Sequence, residues 1–153
     1  MGDLRDHEEV VPNPNRHKHQ ITLQGFEFDI YTERQSKLIV PYADIEKHAV
    51  SYGELKVACL EHVLPLKLEA YNNRRNSSKG MKDAKDIFRI FLCAQVLGFQ
   101  TKRYALYKMD THEGLLEEII KGPAAVELAQ GNSHVAKNYR AAGTTLLEKI
   151  KKV

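Results

Sequence analysis

Two charged residue pairs with regular spacing occupy residues 67–91, KLEAYNNRRNSSKGMKDAKDIFRIF. Lys67 and Arg74 are seven residues apart, so two turns of a helix would place both cations on one face. The start of the next predicted helix carries three further candidates: Lys82, Asp83 and Asp86. A cluster of this kind is typical either of phosphate recognition or of a solvated charged surface.

The turn between the two predicted helices is rich in cations: Arg74, Arg75, Lys79 and Lys82. Backbone N–H groups at a helix N-terminus attract anions, and an Arg side chain can bind a phosphate with two parallel hydrogen bonds. The turn is therefore a candidate phosphate site. The formal net charge of the chain is only +3, so an interaction with nucleic acid would require such a local patch.

The carboxylates have simpler alternative explanations. Lys82 and Asp86 are four residues apart, and a helical salt bridge at this spacing contributes about 0.3–0.5 kcal/mol. Asp83 in the first turn would favour the helix dipole. Neither effect explains why Asp83 and Asp86, three residues apart, remain close to each other as like charges.

A third carboxylate lies in an alternating segment, FEFDIYTE. Asp29 follows Glu27 by two residues, and a strand is a rigid mount for a carboxylate that binds Mg²⁺ together with substrate phosphates. The alternative is that both acids form the polar face of a half-buried hairpin.

The hydrophobic pattern changes once along the chain. We predict a polar, irregular lead-in over residues 1–18, a small antiparallel sheet region over 19–55 and a helical domain over 56–153. The sheet region would hold a hairpin from about residue 19 and a third strand at KLIVPY, because apolar residues alternate there. After Cys59 the apolar residues follow a helical period, with a cap at Ser77 or Ser78 and a stop at Gly98. Strands followed by helices indicate the α+β class.

The rest of the composition indicates a cytoplasmic protein. No apolar run is long enough to span a membrane, and the N-terminal residues lack the apolar core of a signal peptide. The two cysteines, Cys59 and Cys93, lie in apolar contexts, so we predict reduced core thiols.

Together these residues resemble the AbiEii/AbiGii-type nucleotidyltransferases, the toxin-like branch of the DNA polymerase β-like superfamily. That family carries Lys-x6-Arg on one helix and Lys-Asp-x-x-Asp at the start of the next. Residues 67–74 and 82–86 match these motifs in order and separation, and the resemblance covers about residues 18–95. The family's Gly-Ser turn and Asp-x-Asp strand have no counterpart in the sequence.

The resemblance implies transfer of a nucleoside monophosphate from an NTP to an acceptor, with RNA as a candidate acceptor. Lys67, Arg74, Arg75 and Lys79 would contact nucleotide phosphates, and Asp29 would complete a Mg²⁺ site. The residues that position the phosphates or the acceptor would be Lys82, Asp83 and Asp86. Mg²⁺ would bind only if a complementary Asp-x-Asp half is supplied, so we expect this chain alone to be incomplete or inactive.

Two non-catalytic alternatives remain beside the enzyme segment. One is a module that binds phosphate or RNA through the cationic turn, and the other is a structural partner subunit. An open sheet edge is commonly paired or covered. We therefore expect a homodimer or a partner chain at the hairpin ITLQGFEFDIYTE, and no membrane association.

Overall fold

The computed structural model of the protein describes residues 10–13, 18–23, 26–30 and 38–153 and shows an α+β architecture. The strands are β1 (Val10–Asn13), β2 (Lys18–Leu23), β3 (Phe26–Ile30), β4 (Val50–Tyr52) and β5 (Leu55–Val57). The helices are α1 (Tyr42–Lys47), α2 (Leu60–Arg74), α3 (Ser78–Leu97), α4 (Thr101–Ala105), α5 (His112–Lys121), α6 (Ala124–Leu128) and α7 (Ser133–Lys151). Within these described residues, no helix is both long and apolar enough to cross a membrane.

The N-terminal sheet is antiparallel with the order β1-β2-β3. Ile21 lies opposite Phe28 and Leu23 lies opposite Phe26, which confirms the predicted hairpin. The prediction of an irregular lead-in is wrong for Val10–Asn13, because these residues form strand β1 and pair with β2. Strand β2 is thus paired on both sides, and the predicted contact with a partner would have to use another strand of this sheet.

The predicted third strand at KLIVPY is wrong for its described residues, 38–42. Val40 is buried, and Pro41 caps helix α1. A proline lacks an N–H and has a φ suited to a helix start, so it ends the apolar run without strand pairing. Gly53, with φ +61°, lies in the turn that joins β4 to β5.

The core lies between the helices that follow residue 59. Its largest fully buried apolar side chains come from α2, α3, α4, α5 and α7: Leu64, Leu68, Ile87, Phe88, Phe91, Tyr104, Leu116, Ile119 and Ile150. Ser77 is the N-cap of α3, and Gly98 ends it with φ +81°, as predicted. Cys59 is buried, whereas Cys93 is exposed, so the prediction of two core thiols is wrong for Cys93. Both thiols are free.

Two helical glycines differ in what surrounds them, and this gives a test of the packing. A Cβ at Gly143 in α7 would lie 2.8 Å from Phe91 Cε2 and 2.9 Å from Ile120 Cγ1, whereas a Cβ at Gly114 in α5 would meet nothing within 4 Å. We expect Gly143→Ala to destabilise the protein by about 1–3 kcal/mol through overpacking. Gly114→Ala should stabilise it by about 0.5–1 kcal/mol through helix propensity. Urea denaturation of both variants checks the pair, and equal effects would contradict this packing.

Candidate functional site

Helices α2 and α3 form a hairpin with a short connection at residues 75–77. The first turn of α3 approaches the end of α2 so closely that a Cβ at Gly80 would lie only 2.6 Å from Arg75 Cα. Glycine at this position therefore permits the tight hairpin. The Ser77 hydroxyl donates to the Arg74 carbonyl at 2.7 Å, which ties the turn to the end of α2.

Arg74 and Asp83 form the central contact between the two helices. Arg74 Nε donates to Asp83 Oδ2 at 2.6 Å, and Arg74 Nη2 donates to Asp83 Oδ1 at 2.8 Å. Asp83 is fully buried, whereas Arg74 is about one-third exposed. Two parallel, charge-assisted hydrogen bonds thus satisfy a carboxylate that is shielded from water.

Lys67 lies between the two carboxylates of α3. Its Nζ is 2.8 Å from Asp86 Oδ2 and 3.8 Å from Asp83 Oδ1. Arg89 binds the other oxygen of Asp86, with Nη1 2.7 Å from Oδ1. The like charges of Asp83 and Asp86 are therefore separated by cations. We call these five residues the charge network: Lys67, Arg74, Asp83, Asp86 and Arg89.

The predicted salt bridge between Lys82 and Asp86 is wrong, because both oxygens of Asp86 are engaged by Lys67 and Arg89. Lys82 and Lys79 are exposed, and neither forms an ion pair with any other residue that the structure describes. Sequence analysis did not select Arg89. Its spacing of three residues from Asp86 on one helix was the available signal.

Arg75 lies outside the charge network and forms an ion pair with Glu118 of α5. Its Nη1 lies 3.0 Å from Glu118 Oε2, and Tyr71 Oη donates to the other oxygen of Glu118 at 3.1 Å. Burial, together with the bond to Glu118, raises the pKa of Tyr71. These groups line a cleft of about 180 Å³ whose wall also includes Gly80 and Ala84 of α3. The predicted cluster of cations around one turn is thus divided between the charge network, this cleft and solvent.

The charge network does not fit a metal ion. Each of the four oxygens of its two carboxylates already accepts a hydrogen bond from an Arg or Lys side chain. Residues 38–153 contain no group of three or more His, Cys, Asp or Glu side chains arranged to hold a metal. Asp29 is in β3 opposite Gln20, and its side chain lies outside the described part of the chain.

No protein-family model, curated protein or solved structure matches this chain. Four motif residues that are separated in sequence, Lys67, Arg74, Asp83 and Asp86, meet at one place between α2 and α3. The arrangement holds Lys67 and Arg74 against the carboxylates of α3, and Lys79 and Lys82 on the same helix as these carboxylates are exposed to solvent.

Proposed function

We propose that the α2–α3 hairpin is the phosphate-binding half of a nucleotidyltransferase-like site. The reaction class is transfer of a nucleoside monophosphate from an NTP to an acceptor. The observation that carries the proposal is the meeting of Lys67 and Arg74 with Asp83 and Asp86 in one charge network. The spacing of these residues resembles two motifs of the AbiEii/AbiGii-type enzymes, and their proximity is what a shared role requires.

The charges of this surface favour an anion. Lys67, Arg74, Lys82 and Arg89 provide four positive charges against the two carboxylates of α3, which leaves a net charge of +2. In this proposal Asp83 positions the Arg74 guanidinium, since two hydrogen bonds fix its plane. Lys82 and Arg89 are exposed and can meet phosphate oxygens without first breaking a buried contact.

Catalysis would need a second half that binds the metal. The carboxylates of the charge network are committed to cations, so we assign them no role as Mg²⁺ ligands and no step through a metal. A complementary segment, on this chain or on a partner, would supply that half, and Asp29 is its candidate residue here. The purified chain alone is accordingly expected to bind a nucleotide without transferring it to RNA.

A structural role is the competing function. Every carboxylate oxygen of Asp83 and Asp86 has a cation as its partner, and Asp83 is fully buried. Such a network could simply close the hairpin of a partner subunit. A phosphate-binding or RNA-binding module without catalysis is intermediate between the two, because it would use the same exposed cations.

Lys82→Ala separates these functions, because Lys82 is exposed and its loss should change stability by less than about 0.5 kcal/mol. If the hairpin binds phosphates, the variant should bind ATP about tenfold more weakly than wild type, the loss expected for one charge-assisted hydrogen bond. Isothermal titration calorimetry with ATP, and then with a short RNA, measures this difference. Rising salt should weaken wild-type binding more steeply than binding by the variant, since one fewer counterion is released.

The matched control is Lys149→Ala, which removes an exposed lysine near the end of α7. It should leave the affinity for ATP unchanged while altering the net charge of the chain equally. Equal affinity of wild type and Lys82→Ala would contradict the phosphate site. Wild-type protein that binds neither ATP nor RNA would leave the structural role as the surviving function.

A further inference from the structure

A buried histidine lies at the junction between helix α1 and the helical body. His62, the third residue of α2, has no exposed surface, and neither of its ring nitrogens has a hydrogen-bond partner. An imidazole without partners is tolerable when it is neutral. Adding a proton would bury a cation that has no acceptor, which is far more costly.

Side chains from two parts of the chain pack around His62. The ring of His48, at the C-cap of α1, packs edge-on at a centroid distance of 5.7 Å, and the ring of Tyr107 does so at 5.2 Å. Tyr107 Oη in turn donates to Asp44 Oδ2 of α1 at 2.6 Å. His62 therefore packs against the same contacts that hold α1 to the helices.

The charged groups near His62 do not provide an acceptor. Glu61 Oε1 accepts from the Gln100 backbone N–H at 3.1 Å and from Arg103 at 3.3 Å, Asp44 Oδ2 accepts from Tyr107, and neither carboxylate accepts from the His62 ring. Burial lowers the pKa of His62, and His48 and Arg103 lower it further. The carboxylates of Asp44 and Glu61 act in the opposite direction, and the net shift is downward.

The segment held at this junction buries little of its own surface. We call residues 41–57, which comprise α1 and the β4–β5 hairpin, the latch segment. No residue of α1 is buried, and all six strand residues of the hairpin are exposed. Segments with little buried surface open at low free-energy cost, independently of global unfolding.

We propose that protonation of His62 releases the latch segment from the helical body on mild acidification. In the open segment His62 would titrate as an ordinary imidazole with a pKa of about 6.5. The closed form, which resists protonation, is thus favoured fully above pH 6.5 and loses this advantage as the pH falls below it. The equilibrium constant for opening should therefore be larger at pH 5.5 than at pH 7.

Hydrogen exchange of backbone amides, followed by mass spectrometry at pH 7.0 and pH 5.5, tests this release. After correction for intrinsic exchange rates, protection in residues 42–57 should fall in wild type, whereas protection in α5 and α7 should stay constant once the other buried histidine is removed by His112→Gln. His62→Phe and His62→Leu remove the titrating group and keep an apolar side chain. In whichever of these variants folds, the dependence on pH should disappear.

The control is His134→Phe, because His134 is exposed on α7 and should not affect the latch segment. Its exchange should match that of wild type at both pH values. Unchanged protection of residues 42–57 in wild type at pH 5.5 would overturn the proposal, and this outcome needs no variant. A persistent pH response of residues 42–57 in His62→Phe or His62→Leu, or an equal loss of protection in α5 and α7 of His112→Gln, would overturn it as well.

Discussion

Replacing Arg74 with alanine is expected to lower the free energy of unfolding by about 3 kcal/mol. The substitution removes both hydrogen bonds to Asp83, a carboxylate that has no exposed surface. The nearest remaining cation, Lys67 Nζ, is 3.8 Å from Asp83 Oδ1, too far for a hydrogen bond. The cost therefore arises from leaving a buried charge incompletely paired. Urea denaturation at pH 7 with far-UV circular dichroism measures the loss.

The neighbouring Arg75→Ala is a close control, because it removes the same side chain one residue later. Arg75 and Glu118 are both nearly half exposed, so their ion pair should contribute only about 0–1 kcal/mol. The double substitution Arg74→Met with Asp83→Leu removes both charges and should recover most of the stability. Equal losses in Arg74→Ala and Arg75→Ala would show that the contact with Asp83 does not stabilise the hairpin.

This stability effect determines how binding experiments on the hairpin are interpreted. A loss of nucleotide binding in Arg74→Ala would reflect local unfolding as well as a missing phosphate contact. Lys82 is the better probe of a ligand, because it is exposed and lies one residue before the buried Asp83. If Lys82→Ala lowers the affinity for ATP without lowering the stability of the protein, the loss is that of a contact with the ligand.

The sequence predicted that the motif residues lie near one helix–turn–helix connection, but it did not predict which of them form ion pairs with each other. Because Lys67 and Arg74 are seven residues apart, they were expected on one face of the first helix. Asp83 was expected near the start of the second helix of the hairpin. The choice of partner depends on how two helices are aligned, which local spacing does not encode. Asp86 thus pairs with Lys67 from α2 rather than with Lys82 on its own helix.

The division of the fold into a sheet and a helical part was also predictable, since the hydrophobic period changes near Cys59. The predictions were wrong for short segments whose structure depends on whether a neighbouring strand pairs with them. Val10–Asn13 is too short to be recognised by alternation, and it becomes a strand because β2 offers it a partner. The run before Pro41 has the composition of a strand, yet Val40 is buried without joining a sheet.

Burial of individual histidines was not visible in the sequence. His62 lies in LEHVL and His112 in DTHEG, contexts that suit exposed and buried residues equally. Both are fully buried in the folded chain. The pH dependence of the protein therefore follows from tertiary packing and becomes predictable only with the structure.

His112 is expected to make the protein sensitive to acid over a defined pH range. Its Nδ1 accepts from the Met109 backbone N–H at 3.3 Å, which places the ring proton on Nε2, and Tyr104 Oη lies 2.9 Å from the same Nδ1. Nε2 has no partner. Protonation of Nδ1 would thus abolish the bond from the Met109 N–H, reverse the direction of the bond with Tyr104 Oη and create a buried cation. Burial, and to a lesser extent Lys108, lowers the pKa of His112 to about 4.

The sign of the effect follows from comparing the folded and unfolded states. The unfolded chain binds a proton at His112 near pH 6.5, while the folded chain resists it until about pH 4. Stability from this group is therefore complete above pH 6.5 and is lost as the pH falls towards 4. The total loss is about 3 kcal/mol, of which about 2 kcal/mol should be lost by pH 5.

His112→Gln provides the test, because glutamine offers an acceptor to the Met109 N–H but cannot be protonated in this range. Urea denaturation of wild type and variant at pH 7 and pH 5 gives two stability differences. The decrease on acidification should be about 2 kcal/mol smaller in His112→Gln than in wild type, even if the variant is less stable at pH 7. The exposed His134→Gln should retain the wild-type decrease. Parallel pH dependences in wild type and His112→Gln would mean that His112 is protonated as readily in the folded chain as in the unfolded one.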